Sequence, residues 1–306
     1  MLGPGPAVLA FDVGGTDTKS ALVDAGGRVL GLRRTATVSD ASDPAGAVVS
    51  GVARLAAAYR EEFPDVTPVA AGVSVPGLVD DSTGIAVFAS NLRWRDAPIR
   101  DLAAEAVGLP VAFGHDVRAA GIAERRLGAA RGHANVFLVA IGTGIAAASI
   151  VDGRPLTAGG YAGELGHTLS DPNGDPCPCG AVGCLETIAS ASAIARRYRE
   201  ATGIEVAGAK EVLAAARAGD GSAQRVWDDA VEALAEQLAR VAALLAPEVV
   251  VVGGGLAQAG ADLLDPLAAR LDGLLSFHRR PLLVPAELGD DAGVLGTALA
   301  ARDAAA

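Results

Sequence analysis

The stretch Ala7-Val8-Leu9-Ala10-Phe11-Asp12-Val13-Gly14-Gly15-Thr16 decides the fold. An apolar run ends in a carboxylate and a glycine turn, and strand-like patterns resume over Ser20 to Asp24 and Arg28 to Leu32 across Gly26-Gly27. This reads as an antiparallel meander. The bare N–H groups of the turn can face phosphate oxygens, Lys19 follows three residues on, and Asp12 adds a place for magnesium. Taken alone, the segment is as readily an ordinary hairpin. Its partner changes the balance, because Ile141-Gly142-Thr143-Gly144 is a second strand-glycine-strand corner, between 135–142 and 145–152. Two such corners imply two related α/β halves with a cleft between them, each offering backbone to one polyphosphate. A third segment, Val252-Gly253-Gly254-Gly255-Leu256, offers close backbone approach to a base and ribose.

Outward from these corners, helical spacing covers 44–63, 117–128, 190–202, 209–218, 222–245, 261–274 and 293–304. Short β-branched runs at 69–75, 109–113 and 249–252 read as buried strands between them. The alternation places the chain in the α/β class. The expected division gives a first lobe over 1–116 and a second over 117–293, with the last helix, about 294–306, packing back on the first. No Gly-x-x-x-x-Gly-Lys-Ser/Thr loop occurs, and no Gly-x-Gly-x-x-Gly turn opens a helix after the first strand. Phosphate-loop NTPases and dinucleotide oxidoreductases are therefore disfavoured.

The 306 residues are 51% hydrophobic and 20% charged, which suits a globular chain with sizeable cores. No apolar run approaches the roughly 20 residues that cross a bilayer, so no membrane partner is expected. The N-terminus lacks the basic and apolar segments of a secretory signal, which places the expected location in the cytoplasm. A net charge of -11 argues against a nucleic-acid surface.

Between Glu164 and Glu186 lie His167 and all three cysteines, Cys177, Cys179 and Cys184. Three thiolates and an imidazole are the closed tetrahedral set of a structural Zn²⁺, with no open position for chemistry. Pro176, Pro178, Gly180 and Gly183 make this a ligand-bearing loop rather than a core element. An odd, clustered count of cysteines also fits metal better than disulfides. Glu164 and Glu186 bracket the loop, so a metal that fixes it also fixes two acceptors for a polyhydroxylated ligand.

Phe113-Gly114-His115-Asp116-Val117-Arg118 sits at a strand end before a helix, where α/β proteins present catalytic groups. Asp116 is the natural general base for phosphoryl transfer to an alcohol. On position alone, a helix cap is at least as good a reading of it.

Together these segments, with Val75-Pro76-Gly77, Asn91-Leu92 and Trp94, resemble the ROK family (repressor, open reading frame, kinase) of the actin-like ATPase and sugar kinase superfamily. The resemblance spans nearly the whole chain. It implies a two-lobed actin-like, ribonuclease H-like fold and an ATP- and Mg²⁺-dependent sugar kinase that closes its cleft. By the same resemblance Gly77, Asn91, His115, Asp116, Glu164, His167 and Glu186 hold the sugar, and Asp116 deprotonates its 6-hydroxyl. Asp12, Gly14, Gly15, Thr16, Lys19, Gly142, Thr143, Gly144, Gly254 and Gly255 hold the nucleotide. His167 would serve both metal and sugar. The family usually reads Asn-Asp-Ala-Asn where this chain has His115-Asp116-Val117-Arg118, and the expectation is a rotated His115 that still reaches the same hydroxyl. The cysteine loop and Glu186 resemble the bacterial glucokinase branch, which makes glucose the expected substrate and a homodimer the expected assembly. N-acetylmannosamine, N-acetylglucosamine and fructose are the competing substrates, and a non-catalytic sugar sensor is the competing role. Repressors of the family carry a DNA-reading domain ahead of the Asp-x-Gly-Gly-Thr segment; only eleven residues precede Asp12 here.

Overall fold

A computed structural model describes residues 2–38 and 42–306. Its first strands, β1 (Val8–Val13), β2 (Asp17–Val23) and β3 (Val29–Ala36), form the expected antiparallel meander, with Asp12 opposite Lys19. Helix α1 (Pro44–Glu62) starts where the Asp43 side chain accepts the Gly46 N–H at 3.0 Å, which satisfies one of the orphan donors of its first turn. It crosses to β4 (Ala70–Val75), whose residues are all buried, as a parallel strand covered on both faces must be. Three short strands follow, β5 (Leu78–Asp80), β6 (Ile85–Ala89) and β7 (Trp94–Ala97), forming a separate antiparallel sheet. Helix α2 (Ile99–Val107) leads to β8 (Val111–His115), and α3 (Asp116–Arg126) departs directly from its end. The main sheet has the order β3-β2-β1-β4-β8, parallel from β1 onward.

The same plan recurs in the second part of the chain. Strands β9 (Val136–Ile141), β10 (Ile145–Val151) and β11 (Arg154–Pro155) form a second meander. After the cysteine loop come α4 (Glu186–Ala189), α5 (Ala191–Thr202), α6 (Ala209–Arg217) and α7 (Gly221–Leu245). Strand β12 (Val249–Gly253), helix α8 (Ala261–Leu274) and strand β13 (Leu282–Pro285) complete the order β11-β10-β9-β12-β13. Ile194, Tyr198, Trp227, Leu234, Leu238 and Leu263 pack with Val139, Ile141, Val250 and Val252 in its core. No helix among the described residues is long and apolar enough to cross a membrane.

Helix α9 (Ala292–Ala304) belongs with the first sheet, where Val294, Ala298 and Ala301 pack on Val8, Ala10, Ala21 and Ala70. Two compact units result. One comprises Met1–Leu127, Thr157–Ala162 and Asp290–Ala306, and the other Gly128–Leu156 and Gly163–Gly289. Where the sequence reading divides the chain at residue 116, the compact units divide after Leu127. The physical reason is α3, which packs on α9 and is tied to it by the Arg126–Asp303 ion pair at 2.7 Å. Arg126 is exposed and forms this pair on the surface.

Candidate active site

In the first unit, register brings the candidate residues to one end of the sheet. Asp12 is level with Ser74 on β4, Ser74 with Gly114 on β8, and Val75 with His115. The Ser74 hydroxyl donates to Asp12 Oδ1 at 2.8 Å and contacts Thr297 Oγ1 at 2.6 Å, while Thr297 donates to the Gly293 carbonyl at 2.8 Å. Burial and the nearby Asp116 charge push the Asp12 carboxyl up to about 6, against the opposing pull of Ser74 and Lys19. Neither Ser74 nor Thr297 carries a motif signal; each is a lone hydroxyl in an apolar run.

The Gly14 N–H donates to the Asp17 carbonyl at 2.8 Å, closing the turn that ends β1. Asn91, on the loop between β6 and β7, lies against it: a Cβ on Gly15 would stand 2.7 Å from Asn91 Nδ2. Sequence reading found both groups but not their contact, because the small sheet that carries Asn91 has no distinct pattern. Gly77 lies between β4 and β5. Lys19, expected at the phosphates, donates to the Asp290 carbonyl, and Asp290 also accepts from Arg34 at 2.9 Å.

Asp116 is the first residue of α3. Its Oδ1 accepts the Val117 N–H at 2.6 Å, and the same N–H faces His115 Nδ1 at 3.2 Å. The capping role is therefore shared with His115, which stands at the N-cap position. Burial pushes the Asp116 carboxyl up to about 6, opposed by the Val117 N–H and the Arg118 guanidinium. A carboxylate raised this far is a stronger base than an exposed one and is still ionised at neutral pH. Arg118, 4% exposed, donates to Val79 O at 2.9 Å and to Asp81 Oδ1 at 2.5 Å. It thereby ties the base-bearing helix to the sheet carrying Asn91, a role that no sequence motif announces.

In the second unit, Gly142-Thr143-Gly144 turns between β9 and β10 with the Gly142 N–H on the Gly144 carbonyl at 2.9 Å. Gly254, at φ +79°, approaches so closely that a Cβ there would lie 2.5 Å from Ile141 O. The two glycine segments of this unit are thus one surface of bare backbone. Glu186, heading α4, accepts the Ile145 N–H on Oε2 at 2.7 Å and so stands beside the same corner. Ser192 donates to the Thr143 carbonyl at 2.5 Å, a support not foreseen from sequence.

His167, Cys177, Cys179 and Cys184 bring their ligand atoms within 4.8 Å of one another. Cys177 Sγ is 3.6 Å from His167 Nδ1, and Cys179 Sγ is 3.7 Å from Cys184 Sγ. Zinc bonds of about 2.0–2.3 Å in a tetrahedron set ligand atoms roughly 3.3–3.8 Å apart, so the spacing fits. Burial and neighbouring thiols push the Cys184 thiol up to about 12, and Cys177 is raised as well. A cation among these sulfurs reverses that balance. The other imidazole nitrogen, Nε2, is 3.9 Å from Glu164 Oε2. One ring thus faces the thiols and a carboxylate on opposite sides.

A sequence profile described as ROK family matches residues 8–304. A glucokinase of Thermotoga maritima is 34% identical, over 95% of this chain and 96% of its own length. A ROK hexokinase from Thermus thermophilus superposes with a TM-score of 0.87 at 32% identity, covering 98% of this chain and 99% of its own. A ROK family glucokinase from Streptomyces griseus, solved with glucose and AMPPNP, gives 0.79 at 32% identity over 97% and 99% of the two chains.

Proposed function

Because the chain belongs to the ROK family, we propose that it is an ATP-dependent hexose kinase whose preferred substrate is glucose, phosphorylated on the 6-hydroxyl. The observation that carries the reading is Asp116, a partly buried carboxylate at the junction of β8 and α3 with its pKa raised to about 6. Preference for glucose is supported by the glucokinases of T. maritima and S. griseus, the latter solved with that sugar.

In this reading Asp116 takes the proton of the attacking hydroxyl while the terminal phosphoryl group of ATP is transferred. Gly77, Asn91, His115, Glu164, His167 and Glu186 orient the sugar. Asp12, Gly14, Gly15 and Thr16, with Lys19, and the glycines 142, 144, 254 and 255, with Thr143, take the nucleotide. Backbone N–H groups of these turns stabilise charge on the phosphoryl oxygens without having to reorganise. Mg²⁺ would accompany the nucleotide, and Asp12 is the carboxylate that would hold it. Zinc on His167, Cys177, Cys179 and Cys184 is structural: it supplies no chemistry and splints the loop between Glu164 and Glu186. A cytoplasmic homodimer goes with this reading.

The deciding experiment is a coupled ADP-release assay over a panel of hexoses and acetamidohexoses. Glucose should give the highest kcat/KM. A clear preference for N-acetylmannosamine would replace the substrate, and no turnover on any sugar would remove the kinase reading.

A further inference from the structure

The side chains of His115 and Asp116 converge on one backbone group. The Val117 N–H lies 2.6 Å from Asp116 Oδ1 and 3.2 Å from His115 Nδ1, and those two acceptors are 3.3 Å apart. A ring nitrogen that receives an N–H is unprotonated, so the neutral imidazole carries its hydrogen on Nε2. The ring is held there by burial, with His115 only 8% exposed, and by the extended backbone of an N-cap residue. We infer that His115 is a positioning residue for the base: its buried ring shares with Oδ1 the Val117 N–H, the donor that fixes Oδ1 and leaves Oδ2 for the substrate proton, and its own protonation sets the strength of the base.

The inference rests on Asp116 acting as the base. In the reaction, the sugar hydroxyl oxygen bonds to the terminal phosphorus as its proton passes to Oδ2. The bond from phosphorus to the bridging oxygen breaks, and ADP leaves with the electron pair. With the ring neutral, the lone pair on Nδ1 faces Oδ1, and two electron-rich atoms this close favour a proton between them. With the ring protonated, Nδ1–H donates to Oδ1, and Asp116 is held as the carboxylate of an ion pair, a weaker acceptor. The first proton taken up by the pair as pH falls, on either residue, removes the strong-base form. The two therefore titrate as one system.

Neighbouring charges shift this balance without replacing it. The Arg118 guanidinium, paired with Asp81, draws the Asp116 pKa down, and Asp12 and Asp116 repel each other as anions. Lys19 acts on Asp12, and Asp290 and Arg34 stand beyond it. An asparagine at 115 can offer an amide N–H where the neutral ring presents a lone pair, and it does not titrate in the working range, so the substitution removes the coupling.

The test compares the pH dependence of kcat/KM in the wild type and in His115→Asn, together with nitrogen NMR of the imidazoles. The chain has only four histidines, so each signal is assignable by single substitution. The expected result is an acid limb moved to lower pH by about one unit in His115→Asn, corresponding to loss of a coupling of that size. In the wild type, Nδ1 of His115 should be the unprotonated nitrogen at pH 8 and should titrate with the kinetic limb. In Asp116→Asn its midpoint should fall, because the carboxylate that favours the imidazolium is gone. An unmoved acid limb, a proton on Nδ1 at pH 8, or a midpoint indifferent to Asp116→Asn each overturns the inference. Should His115→Asn fail to fold, the NMR arms on the wild type and Asp116→Asn decide alone. Turnover retained by Asp116→Asn would instead sink the base assignment while the nitrogen titration still reports the pairing.

Discussion

Glu186 Oε2 accepts the backbone N–H of Ile145 at 2.7 Å, and a Cβ placed on Gly144 would stand 2.5 Å from that oxygen. The glycine corner and the carboxylate are therefore one construction. Gly144→Ala is expected to dislodge Glu186 and leave the Ile145 N–H without its partner, costing about 1–3 kcal/mol of stability. The sugar KM should rise by about tenfold, as for the loss of one hydrogen-bonded contact of roughly 1.4 kcal/mol. Thermal melts and initial rates check both, and an unchanged KM would detach Glu186 from the sugar.

Asp116→Asn keeps an acceptor for the Val117 N–H but cannot take a proton. Turnover should drop by about 10²- to 10⁴-fold, while sugar affinity measured by calorimetry stays within a few-fold. Near-normal turnover would return Asp116 to a capping role.

The raised carboxyl of Asp12 makes stability depend on pH in a defined direction. Its folded pKa of about 6 exceeds the ordinary value of 3.8, so between those limits the native state holds more protons than the unfolded chain. Stability must fall as pH rises through that window, and the full cost is present above it. The hydroxyl chain agrees: Asp12, Ser74, Thr297 and the Gly293 carbonyl make three contacts with two hydroxyl hydrogens, and a protonated Asp12 supplies the third. An asparagine amide can supply it too. Ligand-free Asp12→Asn should therefore be more stable than wild type at pH 8 by on the order of 1–3 kcal/mol, with the gap closing near pH 4. A variant less stable at pH 8 would contradict this sign.

Purified protein should contain about one zinc per chain, bound by three thiolates and one imidazole. Cys184→Ser should lose it and raise the sugar KM without abolishing the fold of the first unit. Full activity in a metal-free sample would refute the structural assignment.

The strands and helices that carry strong periodicity were legible from residue types alone: β1 and its glycine turn, the buried run of β12, the long amphipathic α7. The cysteine loop was legible because metal ligands are few and their spacing is restrictive. What sequence did not reveal was local support. The β5 to β7 sheet is made of short strands with weak alternation, so the loop presenting Asn91 had no visible frame. Arg118 resembled any helix-surface arginine, although burial against Val79 and Asp81 makes it a tie between two elements. The division after Leu127 was hidden because it depends on α3 meeting α9, a contact between residues far apart in the chain.

The Ser74 to Thr297 hydrogen bond spans 223 positions. During synthesis, the ribosome delivers every residue of the second unit before α9 exists to cover β1 and β4. The second unit can thus reach its native packing while the first still lacks a wall, and the carboxylate of Asp12 acquires its hydroxyl chain only at the last stage. The environment of Asp12 is therefore among the last parts of the first unit to be completed.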